Sequence, residues 1–175
     1  MKDYKMKGIQ RLAADLSALC APFGVTKVRF SGSGQCYYLA DNASVRFSFY
    51  MDRDFIEHIL STFGILINNQ KDYLRFSLLH EIGHHFTLKY FSKEELLIEQ
   101  KIRDMLHYAA WHPDTTEHLF EKISINDMYF AIPSEQVANE WASEQFRTNE
   151  AFKIAFEQMF DKFMRRYNKP DSEEE

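Results

Sequence analysis

The chain has 175 residues, 45% of them hydrophobic and 27% charged, with a formal net charge of -5. That length fits one domain with a real core, and the acidic balance argues against a broad electrostatic grip on nucleic acid. The N-terminal stretch lacks the apolar h-region of a secretion signal, no apolar run approaches a membrane span, and two cysteines make no disulfide framework. A cytoplasmic chain with reduced thiols is the expectation.

Residues 4–21 read as a helix, because Ile9, Leu12, Ala13, Leu16 and Leu19 recur at helical spacing and Pro22 and Gly24 close it. Three β-rich runs follow at 25–31, 35–40 and 45–51, separated by Gly, Ser, Asp and Asn turns, and read as an antiparallel meander. The Gly-Ser-Gly turn lacks the lysine and hydroxyl of a phosphate loop. Residues 51–64 read as a short helix capped by Asp52 and ended by Gly64, and 65–68 as a further strand.

Residues 71–88 read as a buried helix with Asp72 as its cap. Another spans 92–112, opened by Ser92 with Glu95 at the capping-box position and stopped by Pro113. The stretch to Pro133 reads as irregular, and 134–167 as helical with a break near Thr148 and Asn149. The predicted class is therefore α+β. It is a helical single domain over 1–168, with a short antiparallel sheet of three to four strands beside the histidine helix. Residues 92–133 form an inserted helical region, and 169–175 a disordered acidic tail.

The histidine helix carries the chemistry. His80 and His84 bracket Glu81 in the order H-E-x-x-H. Residues four apart lie nearly over one another on a helix, so the two imidazoles can share one small cation. Glu81 is turned about 100° from His80, which places a carboxylate beside the cation as a base rather than a ligand. A catalytic zinc site needs this division: three protein ligands, an open position and a nearby base. Phe76, Leu79, Ile82, Gly83 and Phe86 form the apolar face, with the two histidines at its edge. Gly83 costs helix stability, and close approach of another backbone, such as an edge strand, would explain it. His85 falls off the metal face and is expected in solvent or in a hydrogen bond. The competing reading is a histidine-rich surface helix.

A third ligand is sought downstream, where Glu135 and Glu140 compete. With Glu135 at zero and about 100° per residue, Val137, Ala138, Trp141, Ala142 and Phe146 form an apolar arc with Glu135 and Asn139 at its rim. Glu140 falls on the far side, beside Glu144. A ligand must face the interior, which favours Glu135 and leaves Glu140 as the alternative. Asn139, one turn on, is placed to hydrogen-bond a liganding histidine and fix its tautomer. Solvated helix face is the bland reading of both glutamates.

Two linked segments carry a resemblance. Arg75, Phe76, Ser77, Leu78, His80, Glu81, Ile82, Gly83 and His84 match an Arg-Phe-Ser/Thr-Leu-x-His-Glu-Leu/Ile-Gly-His pattern. Glu135, Ala138, Asn139 and Ala142 match a later Glu-x-x-Ala-Asn-x-Phe-Ala pattern, with Trp141 in place of Phe. Over roughly residues 25–147 the chain resembles the ImmA/IrrE-type metallopeptidases. The resemblance implies one zinc held by His80, His84 and Glu135, with Glu81 as general base. It also implies a compact α+β fold and a bacterial, phage or mobile-element setting in which helix-turn-helix repressors are cleaved. The chain departs from the pattern in its long segment between His84 and Glu135, in lacking a Leu-Leu-x-Pro ending, and in carrying no fused DNA-binding motif.

The expected function is thus a zinc endopeptidase acting on a protein or peptide partner such as a transcriptional repressor, with no direct role for nucleic acid or membrane. His107, His112 and Tyr129 are candidate oxyanion donors, and the strand at 45–51 the candidate edge for β-addition of substrate. One alternative is a non-catalytic metal-containing binding module for a regulatory protein. Another is a deformylase-like hydrolase with Cys36 as third ligand, although the surroundings of Cys36 and the Gly before His84 do not match that family.

Overall fold

The computed structural model describes residues 3–31, 36–49, 53–67, 69–111, 128–129 and 131–167, of which 3–6, 53–55, 107, 110, 111 and 167 are described by backbone alone. Among them are six α-helices and three short strands: α1 (Asp3–Cys20), β1 (Lys27–Phe30), β2 (Tyr37–Leu39), β3 (Ser44–Phe47), α2 (Arg53–Thr62), α3 (Gln70–Thr87), α4 (Lys93–Trp111), α5 (Pro133–Thr148) and α6 (Glu150–Tyr167). The α+β class expected from the sequence holds. Asp52, Pro113, most of 112–132 and the acidic tail lie outside the described residues.

Helix α3 is the axis of the molecule. It packs against α5, α2 and α6 and against β2 and β3. Consequently it is buried nearly all round, from Tyr73 to Leu79 and from Glu81 to His84, so it shows little of the amphipathic stripe of a surface helix. Its N-cap is Asn69 rather than Asp72. The Asn69 side chain accepts the Asp72 N–H at 3.0 Å, and its amide donates to the Asp72 carboxylate at 2.9 Å. Asp72 is thereby free to hold Arg75 at 3.2 Å, and the buried guanidinium lies 3.8 Å over the Phe146 ring. The capping box of α4 forms as expected: Ser92 N–H donates to Glu95 at 2.7 Å and Glu95 N–H to Ser92 Oγ at 3.2 Å. Asn149 breaks α5 from α6 and caps the latter through the Phe152 N–H at 3.0 Å.

The sheet differs from the expected antiparallel meander. Its order is β1-β3-β2, with β1 parallel to β3 and β2 antiparallel to it. A meander would leave β3 at an edge, yet Ser44, Val45 and Phe47 are buried and β3 is the most buried of the three. Inserting it between β1 and β2 buries both of its hydrogen-bonding edges and its side chains together. A tight turn with Ala43 at φ 47° joins β2 to β3, and Thr26 N–H donates to Ala43 O at 2.7 Å to dock β1 alongside. The outer strand nearest α3 is therefore β2. Residues 45–47 of the expected edge at 45–51 lie in the central strand and supply no free edge, and 65–67 form no strand.

One core cluster joins Leu12 and Leu16 of α1, Val28, Val45 and Phe47 of the sheet, Leu74, Phe76, Leu78, Leu79 and Ile82 of α3, and Phe152, Phe156 and Phe160 of α6. Burial of side chains this large supplies the main driving force and fixes α3 between sheet and helices. Among the described residues no helix is long and apolar enough to cross a membrane.

Candidate metal centre

Three lone-pair atoms converge where α3 meets α5. His80 Nε2 lies 3.1 Å and His84 Nε2 3.4 Å from Glu135 Oε2, and the two imidazole nitrogens are 3.2 Å apart. Helical spacing stacks the histidines. The first turn of α5 delivers Glu135, which is 2% exposed. Close approach of the two helices requires Gly83, where a Cβ would stand 2.8 Å from the Ala138 carbonyl oxygen. The backbone that demands this glycine belongs to a helix, not to an edge strand.

Asn139 Oδ1 lies 2.7 Å from His80 Nδ1. The Asn oxygen only accepts, so Nδ1 carries a proton, and whenever the ring is neutral it is Nε2 that presents a lone pair. Nε2 then faces another acceptor, Glu135 Oε2, which is buried with no hydrogen-bond donor among the described residues. Such convergence of acceptors is costly unless a cation, proton or metal, lies between them. The separations match the edge of a tetrahedron, about 3.3 Å when each ligand is about 2.05 Å from the centre. The three residues thus fit a divalent metal by donor chemistry and by spacing.

The electrostatics follow. Burial depresses the His80 imidazole, but Glu135 and Glu81 outweigh it and hold its pKa at about 9. Burial raises Glu135, but His84 and His80 more than reverse that and keep it well below the usual carboxylate range. For Glu81, burial wins: its pKa is raised despite both histidines and despite the Tyr38 backbone N–H that donates to it. A buried carboxylate of raised basicity beside a cation site can accept a proton and return it.

Of the candidate oxyanion donors, Tyr129 reaches the site. Its hydroxyl hydrogen-bonds the Glu135 carboxylate, and burial together with Glu135 and Glu81 pushes its pKa far up, so it stays a proton donor. His112 and the side chain of His107 lie outside the described residues. Glu140 is exposed on the far side of α5. Cys36 is apart from the cluster: its Sγ accepts the Ser48 N–H at 3.2 Å. His85 hydrogen-bonds Tyr38, Nδ1 to hydroxyl, at 2.8 Å.

Sequence reading missed two groups. One is Tyr38, which fastens β2 to α3 through its backbone bond to Glu81 and its hydroxyl on His85. The other is Arg103 of α4, whose Nε donates to Glu135 Oε1 at 3.0 Å. Its only local signal is the Glu99 four residues earlier, which reads as an ordinary surface pair. The buried face of α5 is also centred differently. Ser134, Glu135, Ala138, Asn139, Ala142 and Ser143 are buried, so Glu135 and Asn139 sit inside the stripe rather than at its rim.

No known protein family, curated protein or solved structure matches the chain.

Proposed function

We propose that this chain is a zinc-dependent endopeptidase of the ImmA/IrrE type, in which His80, His84 and Glu135 hold the cation and Glu81 is the general base. The observation that carries the reading is the convergence of two imidazole nitrogens on one buried carboxylate oxygen, with a second buried carboxylate beside them. Zinc in such a site supplies Lewis acidity and brings the pKa of water to about 7.

The chain's own residues supply the rest. Glu81, steadied by the Tyr38 N–H, takes the proton of the attacking water and passes it to the leaving amine. Its raised pKa suits both transfers. Tyr129 donates its hydroxyl to the developing oxyanion. Asn139 keeps the His80 proton on Nδ1. A repressor of the helix-turn-helix kind is the substrate class that the resemblance favours, in a reducing compartment where Cys20 and Cys36 stay free.

The test is metal content and proteolysis together. One zinc per chain is expected, lost in Glu135→Ala and kept in Glu140→Ala, with cleavage of a co-expressed repressor panel by wild type only. Absence of zinc after reconstitution sinks the proposal. Zinc without turnover on any protein leaves a metal-containing binding module instead.

A further inference from the structure

Helix α4 belongs to the segment in which the chain departs from the family pattern, yet its side chains reach the third candidate ligand. Arg103 Nε donates to Glu135 Oε1 at 3.0 Å, and Nη2 stands 2.8 Å from the same oxygen. Both donors of the fork thus meet one oxygen, and the other, Oε2, is turned to His80 and His84.

The fork is itself held. Arg103 Nη2 donates to Ser134 Oγ at 2.7 Å and lies 3.4 Å from Glu99 Oε2. Glu99 is 4% exposed, and it accepts both the Ser134 hydroxyl and, at 3.2 Å, the Ser134 N–H. That N–H belongs to the first turn of α5. The N-cap residue, Ile132, offers no side-chain acceptor, and Pro133 has no N–H to satisfy. Glu99 therefore caps α5 from another helix, with its negative charge at the positive end of the α5 dipole. The turn that carries Glu135 is fastened at its backbone by Glu99 and at its carboxylate by Arg103.

We infer that α4 is the positioning arm of the metal centre, and that Arg103, braced by Glu99, restricts Glu135 to one-oxygen ligation through Oε2. This rests on the cation site proposed above. Arg103 touches no reacting atom and acts through Glu135. A free carboxylate can rotate or offer both oxygens, and ligating carboxylates depend on such outer partners for their geometry. Lysine, a point charge without the fork, is only a partial substitute.

The experiment measures zinc affinity by chelator competition, and the visible spectrum after cobalt(II) substitution, on the full chain. Wild type is compared with Arg103→Met, Arg103→Lys and Glu99→Gln, with folding followed by circular dichroism. Arg103→Met is expected to bind zinc about 10–100-fold more weakly and to change the cobalt band as the carboxylate reorients. Arg103→Lys should recover part of the affinity but not the wild-type band. Unchanged or tighter binding in Arg103→Met, with an unchanged band, overturns the inference. Should Arg103→Met fail to fold, Glu99→Gln decides, because it leaves Arg103 in place and removes its brace; wild-type affinity and band in that variant overturn the inference equally. A wild type that binds neither metal fells the cation site itself, which separates that failure from failure of the arm alone.

Discussion

The Cα of Gly83 faces the backbone of Ala138 with no room for a methyl group between them: a Cβ there would meet the Ala138 carbonyl oxygen at 2.8 Å and its Cα at 3.2 Å. Gly83 precedes His84 in α3, and Ala138 precedes Asn139 in α5. The spacing of these two residues therefore sets the distance across which His84, His80, Glu135 and Asn139 face one another. Gly83→Ala would gain about 1 kcal/mol of helix propensity. Backbone atoms cannot yield as a flexible side chain can, so the helices must part, at a cost of about 1–3 kcal/mol. The expected result is a lower melting temperature together with weaker zinc binding. A variant as stable as wild type with wild-type affinity would show that the helices tolerate a wider gap.

Glu81→Gln separates holding the cation from using it. The amide keeps the shape of the carboxylate and an oxygen for the Tyr38 N–H, and it loses only the capacity to take a proton. Zinc content should stay at one per chain while peptide hydrolysis falls by at least about 100- to 10,000-fold. Equal activity in the variant would move the base elsewhere.

Asn139→Leu tests the tautomer argument. Asn139 is buried, and its oxygen is the acceptor for His80 Nδ1. Leucine fills the space and leaves that nitrogen without a partner. Zinc affinity should drop about 10–100-fold, while Asn139→Asp, which can still accept, should keep most of it.

The thiols give a prediction with a pH axis. Burial pushes Cys20 from 9.0 to about 12, and burial followed by the charge of Glu81 does the same to Cys36. The thiolate is the nucleophile, and at pH 8 its population is roughly a thousandfold below that of a free cysteine. Neither residue should react with iodoacetamide until the protein unfolds. The folded pKa values lie above the unfolded ones, so this contribution to stability is whole below about pH 9 and is lost as pH rises towards 12. Alkaline melts of Cys20→Ala should show less of that decline than wild type. Cys36→Ser should leave zinc content unchanged.

What the sequence revealed is what depends on short-range geometry. The helical period puts His80 over His84 and sends Glu140 away from the face that carries Glu135, and both statements follow from spacing within one helix. The Ser92–Glu95 capping box and the break at Asn149 are equally local. Strand order is not: the runs at 25–31 and 45–51 were legible, but their parallel pairing depends on which strand has most to bury, a property of the assembled core. The α4 residues that hold the first turn of α5 escaped for the same reason. Arg103 and Glu99 become visible only once α4 lies across the start of α5. Tyr38 acts partly through its main-chain N–H, which no residue type signals.

Seen as polymer chemistry, a cation held by α3 and α5 is a cross-link. The chain between His84 and Glu135 runs through residues 85–134, and a cation that binds only where the two helices meet ties the ends of that loop in the folded state, so it stabilises by favouring the native chain through binding. Both cysteines are free, so the tie has no covalent counterpart here, and it opens to a chelator or to acid rather than to a reductant. Zinc supply, not redox poise, would then govern how long the folded chain survives among cellular proteases.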